Sequence, residues 1–136
     1  MNGAYLLLMH LPKNTAIPVG KQGTIAFDQG YYVYVGSALN GLDQRIQRHL
    51  RKQKKIHWHI DYLLSHAPLV AIFYKEHQER EECIIAQTLE HRLSAIPGFG
   101  CSDCSCRSHL FHGSFEDIAK VASALQMKPY PVNTKS

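Results

Sequence analysis

Three features of the chain predict a mixed α/β domain. Short apolar runs rich in Tyr, Val and Leu read as strands, the clearest being YYVYV at residues 31–35. Stretches with apolar residues every three or four positions read as helices, as at residues 42–52. The segments come in the order strand, strand, helix, helix, strand, helix, which suggests a small antiparallel or mixed sheet with helices on its faces. At 136 residues the chain has the size of one domain and can bury a core unaided.

Residues 4–10 form the first strand, apolar and stopped at Leu11 and Pro12. Residues 12–30 are turn-rich, with Pro12, Pro18, Gly20, Gly23 and Gly30, and hold one short strand at 24–27. Residues 31–35 are the next strand, ended by Gly36 and Ser37, and Asn40-Gly41 turns the chain. The helix at 42–52 places Leu42, Ile46 and Leu50 on one stripe and Arg45, Arg48, His49 and Lys52 on another. A short helix at 60–66 stops before Pro68, and LVAIFY at 69–74 reads as a buried strand. Residues 79–95 form the longest helix, with Ile85, Ala86, Leu89 and Leu93 on one face, broken by PGFG at 97–100. After a cysteine-rich loop, residues 109–111 make a short strand. The last helix, at 115–127, has Ser114 as its cap and Asp117 at the third position. The domain thus covers residues 1–128, and 129–136 form a tail.

An apolar content of 45% excludes a disordered chain. The longest apolar run, residues 4–9, is too short to span a bilayer, and no charged leader with a cleavage site accompanies it. The expectation is a cytoplasmic protein that makes no membrane contact. Fifteen Lys and Arg against 11 Asp and Glu leave a net charge of +4, before nine His are counted. The cations gather at Arg45, Arg48, Arg51, Lys52, Lys54 and Lys55, and the acids at Glu76, Glu79, Glu81, Glu82 and Glu90. One region therefore suits an anionic partner, with Arg48, Lys52 and His57 as nucleic-acid contacts, and another supplies carboxylates.

Tyr5, Tyr34, Gly36, Arg45 and His49 can meet in one pocket, because Arg45 and His49 share a helical face just after the strand that carries Tyr34. Gly36 permits a tight turn after that strand. Arginine stabilises phosphate charge, and a phenolate or imidazole activates water. The same helix pattern also describes an ordinary solvated face. Glu82 extends the Ala86, Leu89, Leu93 stripe back by one turn. A carboxylate there is paired, bound to a metal, or simply favoured by the helix dipole. Glu90, off that stripe, is the alternative acid.

Gly3-Ala4-Tyr5, Tyr34-Val35-Gly36, Arg45, His49 and Glu82 together resemble the motifs of the GIY-YIG nuclease superfamily. The two tripeptides stand at its GIY and YIG positions, followed by its helix arginine, helix histidine and late glutamate. YVGSA at 34–38, Arg48-His49-Leu50, HWHIDYLL at 57–64 and GFGCSDCSCRSHLF at 98–111 are similar to its DUF123, or Uri-type, branch. This likeness runs from about residue 4 to residue 112. It implies a central three-stranded, mainly antiparallel sheet flanked by helices. It also implies an endonuclease that hydrolyses DNA phosphodiesters, structured or branched DNA included. Carried over, Glu82 would hold Mg²⁺ or Mn²⁺ and Arg45 the phosphate. Tyr5, Tyr34 and His49 would serve water and phosphate oxygens. The interval between Tyr5 and Tyr34 is longer than in compact members, filled by the turn-rich residues 12–30.

Two further clusters carry open alternatives. As a strand, residues 57–61 would set His57, His59 and Asp61 on one face fit for a metal. As the start of a helix they would pack Trp58 and Tyr62 and hydrogen-bond the rest. Cys101, Cys104, Cys106 and His109 form a donor set for Zn²⁺, or else a loop packing small thiols against the core. Two functions therefore stand beside the nuclease: a nucleic-acid-binding module without catalysis, and a zinc or thiol protein using residues 101–109. A nuclease domain this small would draw specificity from a second copy or a partner protein.

Overall fold

The computed structural model describes residues 2–38, 41–51, 59–76, 82–97, 99 and 108–131, the side chains of Glu82 and Cys83 excepted. In chain order the elements are β1 (Gly3–Leu11), β2 (Thr15–Pro18), β3 (Thr24–Phe27), β4 (Gly30–Ala38), α1 (Leu42–Leu50) and α2 (His59–Leu64). There follow β5 (Leu69–Glu76), α3 (Glu82–Glu90), β6 (Ser94–Ala95), β7 (Leu110–Gly113), α4 (Phe115–Ala124) and β8 (Lys128–Pro129). The class is mixed α+β, as the segment order predicts.

The sheet is larger than three strands. Six antiparallel strands run in the order β6-β7-β4-β1-β5-β8, and β2 and β3 form a separate ribbon. The long central trio β4-β1-β5 corresponds to the expected three. The short strands added outside it are too brief to show a sequence period.

The central strand β1 is flanked on both edges and buried on both faces from Gly3 to Met9. Strand side chains alternate, so Tyr5, Leu7 and Met9 enter one core and Ala4, Leu6 and Leu8 the other. This two-sided burial explains an apolar run without alternation. The first core joins Leu42 and Ile46 of α1, Ile60 and Leu63 of α2, and Ile17 and Phe27 of the ribbon. The second joins Ile85, Ala86 and Leu89 of α3 to Ile118, Val121 and Ala122 of α4. The result is three layers, with the sheet in the middle.

Several boundaries move. β4 continues through Gly36 to Ala38, because Gly36 pairs with Tyr5 instead of turning the chain. β2 was hidden among turn residues; it closes on β3 through Val19 N–H to Gly23 O at 2.8 Å. β5 is half-exposed along most of its length, with Val70 43% exposed, where a buried strand was expected. α3 ends at Glu90, and Ser94–Ala95 instead pair with His112 and Phe111. The chain does not leave the fold at residue 129: Pro129 pairs with Phe73, and Tyr130 N–H donates to Ile72 O at 2.7 Å. The Ser114 cap holds, with Oγ accepting from Asp117 N–H at 3.1 Å. No described helix is long and apolar enough to cross a membrane.

Candidate functional site

Directly paired residues of an antiparallel sheet share a face. Tyr5 is opposite Gly36 on one side and Tyr74 on the other, so the three form one row across β4, β1 and β5. The next row on the same face is Tyr34, Leu7 and Ile72, with Leu110 beyond Tyr34. Tyr5 and Tyr34 are thus diagonal neighbours, at a spacing of about 7–8 Å. The absence of a side chain at Gly36 has a specific cause. A methyl group there would overlap Cζ and Oη of Tyr5, so the phenol lies across the glycine.

Helix α1 covers this face. It starts at Gly41, whose φ of +85° suits glycine. Leu42 and Ile46 point at the sheet, and His49 joins them with 2% exposure. This corrects the expected stripe, which grouped His49 with Arg45, Arg48 and Lys52 and apart from Leu42 and Ile46. At 100° per residue His49 lies only about 20° from Leu42, so it belongs to the inward face. The His49 Nε2 and Tyr5 hydroxyl share a buried hydrogen bond of 2.8 Å, with the donor set by the imidazole tautomer. Their rings are 5.4 Å apart. Arg45 is half-buried and donates from Nη1 to the carbonyl of Ser37 at 3.0 Å, one residue past Gly36. Tyr34 is half-buried, and its ring meets Phe99 edge-on at 6.4 Å.

The other site candidates fall as follows. Arg48 faces α2 and makes two hydrogen bonds to Asp61, Nη1 to Oδ1 at 3.1 Å and Nη2 to Oδ2 at 3.0 Å. The Asp61 side chain is fully buried, whereas that of Arg48 retains 21% exposure. His59 opens a helix, so the strand reading of residues 57–61 does not hold from His59 onward, and its ring packs on Phe99 at 5.9 Å. Glu82 is the first residue of α3, which follows the end of β5 that holds Tyr74, and its side chain lies outside the described residues. Lys52, His57, Cys101, Cys104 and Cys106 also lie outside them. His109 is buried; its backbone N–H donates to Phe99 O and its carbonyl accepts from Val35 N–H, both at 2.9 Å. Sequence reasoning missed the Ser37 carbonyl, Tyr74 and Phe99. A backbone acceptor leaves no trace in residue identity, Tyr74 read as part of a buried strand, and Phe99 stood in a segment read as a helix-breaking loop.

Among the described residues, no group of three or more His, Cys, Asp and Glu side chains could hold a metal ion. Mg²⁺ or Mn²⁺ does not demand such a cage: one or two carboxylates, waters and substrate phosphate oxygens suffice. Glutamate and tyrosine are oxygen donors of that hard kind, but the described residues of α3 pack in the second core, on the sheet face opposite Tyr5 and Tyr34.

Tyr5, Tyr34, Arg45 and His49 therefore share one side of the sheet, contributed by β1, β4 and α1. The family model for the domain of unknown function DUF123 matches residues 4–128. No curated protein and no solved structure matches the chain. With the match running from β1 to the start of β8, the chain belongs to the DUF123 family.

Proposed function

We propose that the protein is a divalent-metal-dependent endonuclease that hydrolyses phosphodiester bonds in DNA, structured or branched DNA included, in the cytoplasm. The observation that carries this reading is the buried Tyr5–His49 hydrogen bond beside Arg45 on one sheet face. Arg45 and Tyr34, both half-buried, form the accessible rim that meets the scissile phosphate. The guanidinium neutralises charge on the phosphate oxygens as it develops. Beneath the rim, His49 Nε2 takes the Tyr5 hydroxyl proton along their 2.8 Å bond and becomes imidazolium, and the phenolate so formed accepts the proton given up by the attacking water. Mg²⁺ or Mn²⁺ held at Glu82 would supply Lewis acidity. The basic residues of α1 and the residues after it draw in the polyanion.

One observation favours a second reading, a DNA-binding module without catalysis. Tyr5 and His49 are each only 2% exposed, so the pair also serves as packing. The deciding experiment incubates the full chain with linear, single-stranded and branched DNA, with Mg²⁺, with Mn²⁺ and with EDTA. Metal-dependent products are expected from the wild type. Arg45→Ala is expected to lower the rate by about 100-fold or more, and Glu82→Ala to abolish the metal-dependent products. Salt-sensitive binding without products would leave the binding module. Equal cleavage by wild type and both variants would remove the site.

A further inference from the structure

We propose that Tyr130 is a positioning residue that fixes the rotation of α1, and with it the Tyr5–His49 bond. The proposal rests on the site reading above only for its effect on cleavage. Its structural half stands alone.

α1 lies over β1 and is tethered on both flanks. On the β4 flank, Arg45 donates to the Ser37 carbonyl at 3.0 Å. On the β5 flank, the Tyr130 hydroxyl donates to Asp43 Oδ1 at 3.1 Å and accepts from Gln47 Nε2 at 3.2 Å. Asp43 and Gln47 are one turn apart, so a single hydroxyl engages two successive turns of the helix. At 100° per residue, Arg45 sits roughly 60° from Leu42 in one direction, and Asp43 and Gln47 roughly 100–140° in the other. The apolar contacts of Leu42 and Ile46 set how close the helix comes, but such contacts are non-directional. The polar tethers, with the Arg48–Asp61 pair to α2 beside these two, set its rotation, and Tyr130 is the one on the β5 flank.

Tyr130 is itself held to the sheet. Its N–H donates to Ile72 O at 2.7 Å, and its ring meets Tyr74 edge-on at 5.7 Å. Tyr74 is the direct cross-strand partner of Tyr5. The residue therefore joins both halves of the site: the helix that carries His49 and Arg45, and the row that carries Tyr5. The reach of a rotation is large. At an outer radius of about 5–6 Å, a turn of roughly 20° moves a side chain by about 2 Å, enough to part a 2.8 Å bond.

The test uses the full chain with Tyr130→Phe, which keeps the ring on Tyr74 and removes only the hydroxyl. Two companions act at the other end of the tether: Asp43→Ala, which removes the acceptor, and Asp43→Asn, which restores one. The first readout is the ¹⁵N resonance of His49 Nε2, assigned by its loss in His49→Gln. Tyr130→Phe and Asp43→Ala should move it in the same direction, and Asp43→Asn should leave it near its wild-type position. The second readout is the steady-state rate of DNA cleavage, where kcat should fall about tenfold and KM change less than about twofold. An unmoved His49 resonance in Tyr130→Phe overturns the proposal, and so does a loss confined to KM. A wild type that cleaves nothing, with the His49 resonance shifting as stated, removes the nuclease reading and keeps the positioning role.

Discussion

Tyr5 and Gly36 depend on one another. The phenol reaches His49 only because the opposite position on β4 carries no side chain. Gly36→Ala should cost about 1–3 kcal/mol through overpacking, read by urea denaturation, and should displace the Tyr5 ring. Tyr5→Phe keeps the packing but takes the hydroxyl from the buried His49 Nε2, so it should cost about 1–3 kcal/mol. If the proposed chemistry holds, Tyr5→Phe should lower cleavage far more than it lowers stability. A site effect would sink if the two losses tracked each other. The types of these residues were legible in the sequence, but their relation was not. Gly36 looked like a turn because glycine usually signals one, whereas here the need is the approach of a ring from the neighbouring strand. His49 fell on the cationic stripe by residue type, whereas its angular position, about 20° from Leu42, puts it on the inward face.

At the scale of elements, α1 is tied to α2 by Arg48 and Asp61, and the two partners are unequal. Asp61 is sealed from solvent, while Arg48 can still reach water. Arg48→Ala takes the cation away from a buried carboxylate and should cost about 3–5 kcal/mol. Asp61→Ala leaves a guanidinium that can turn outward, and should cost less than Arg48→Ala. Thermal melts of the two variants decide this; equal losses would show that exposure does not govern the pair. Ser114→Ala should cost about 1 kcal/mol by removing the cap of α4. That cap, β1 and the core of β4 could be read directly, because each rests on a local pattern. β2, β6 and β8 could not. They are two to four residues long, contain too few positions to show alternation, and owe their state to a partner strand supplied from elsewhere in the chain.

For the whole molecule, Tyr32 is one of the residues that attach the β2–β3 ribbon, beside Ile17 and Phe27 in the first core. Its hydroxyl donates to the Asp28 carbonyl at 2.6 Å, its ring meets Phe27 edge-on at 5.7 Å, and it stacks on His112 at 4.6 Å. Burial pushes the Tyr32 phenol up to about 12, and the nearby Asp28 charge adds to the rise. The folded state therefore favours the neutral phenol. This contribution is complete below about pH 10 and is lost as pH climbs from there towards 12. The loss should reach on the order of 2–3 kcal/mol. Urea midpoints measured from pH 9 to 12 should fall more steeply for the wild type than for Tyr32→Phe. Parallel curves would assign the alkaline loss to other groups.

The pairing of Tyr5 with Gly36 also bears on how the chain finds its own alignment. Because β1 is greasy on both sides, hydrophobicity alone would accept a neighbouring strand shifted along it by one step. A shifted copy would set Tyr5 opposite Val35 or Ser37, whose side chain would bar the phenol from the path it takes across Gly36 to His49. The notch that makes room for chemistry thus doubles as a keyway for assembly, so a mis-threaded molecule is discouraged by the same two residues that would make a correct one competent.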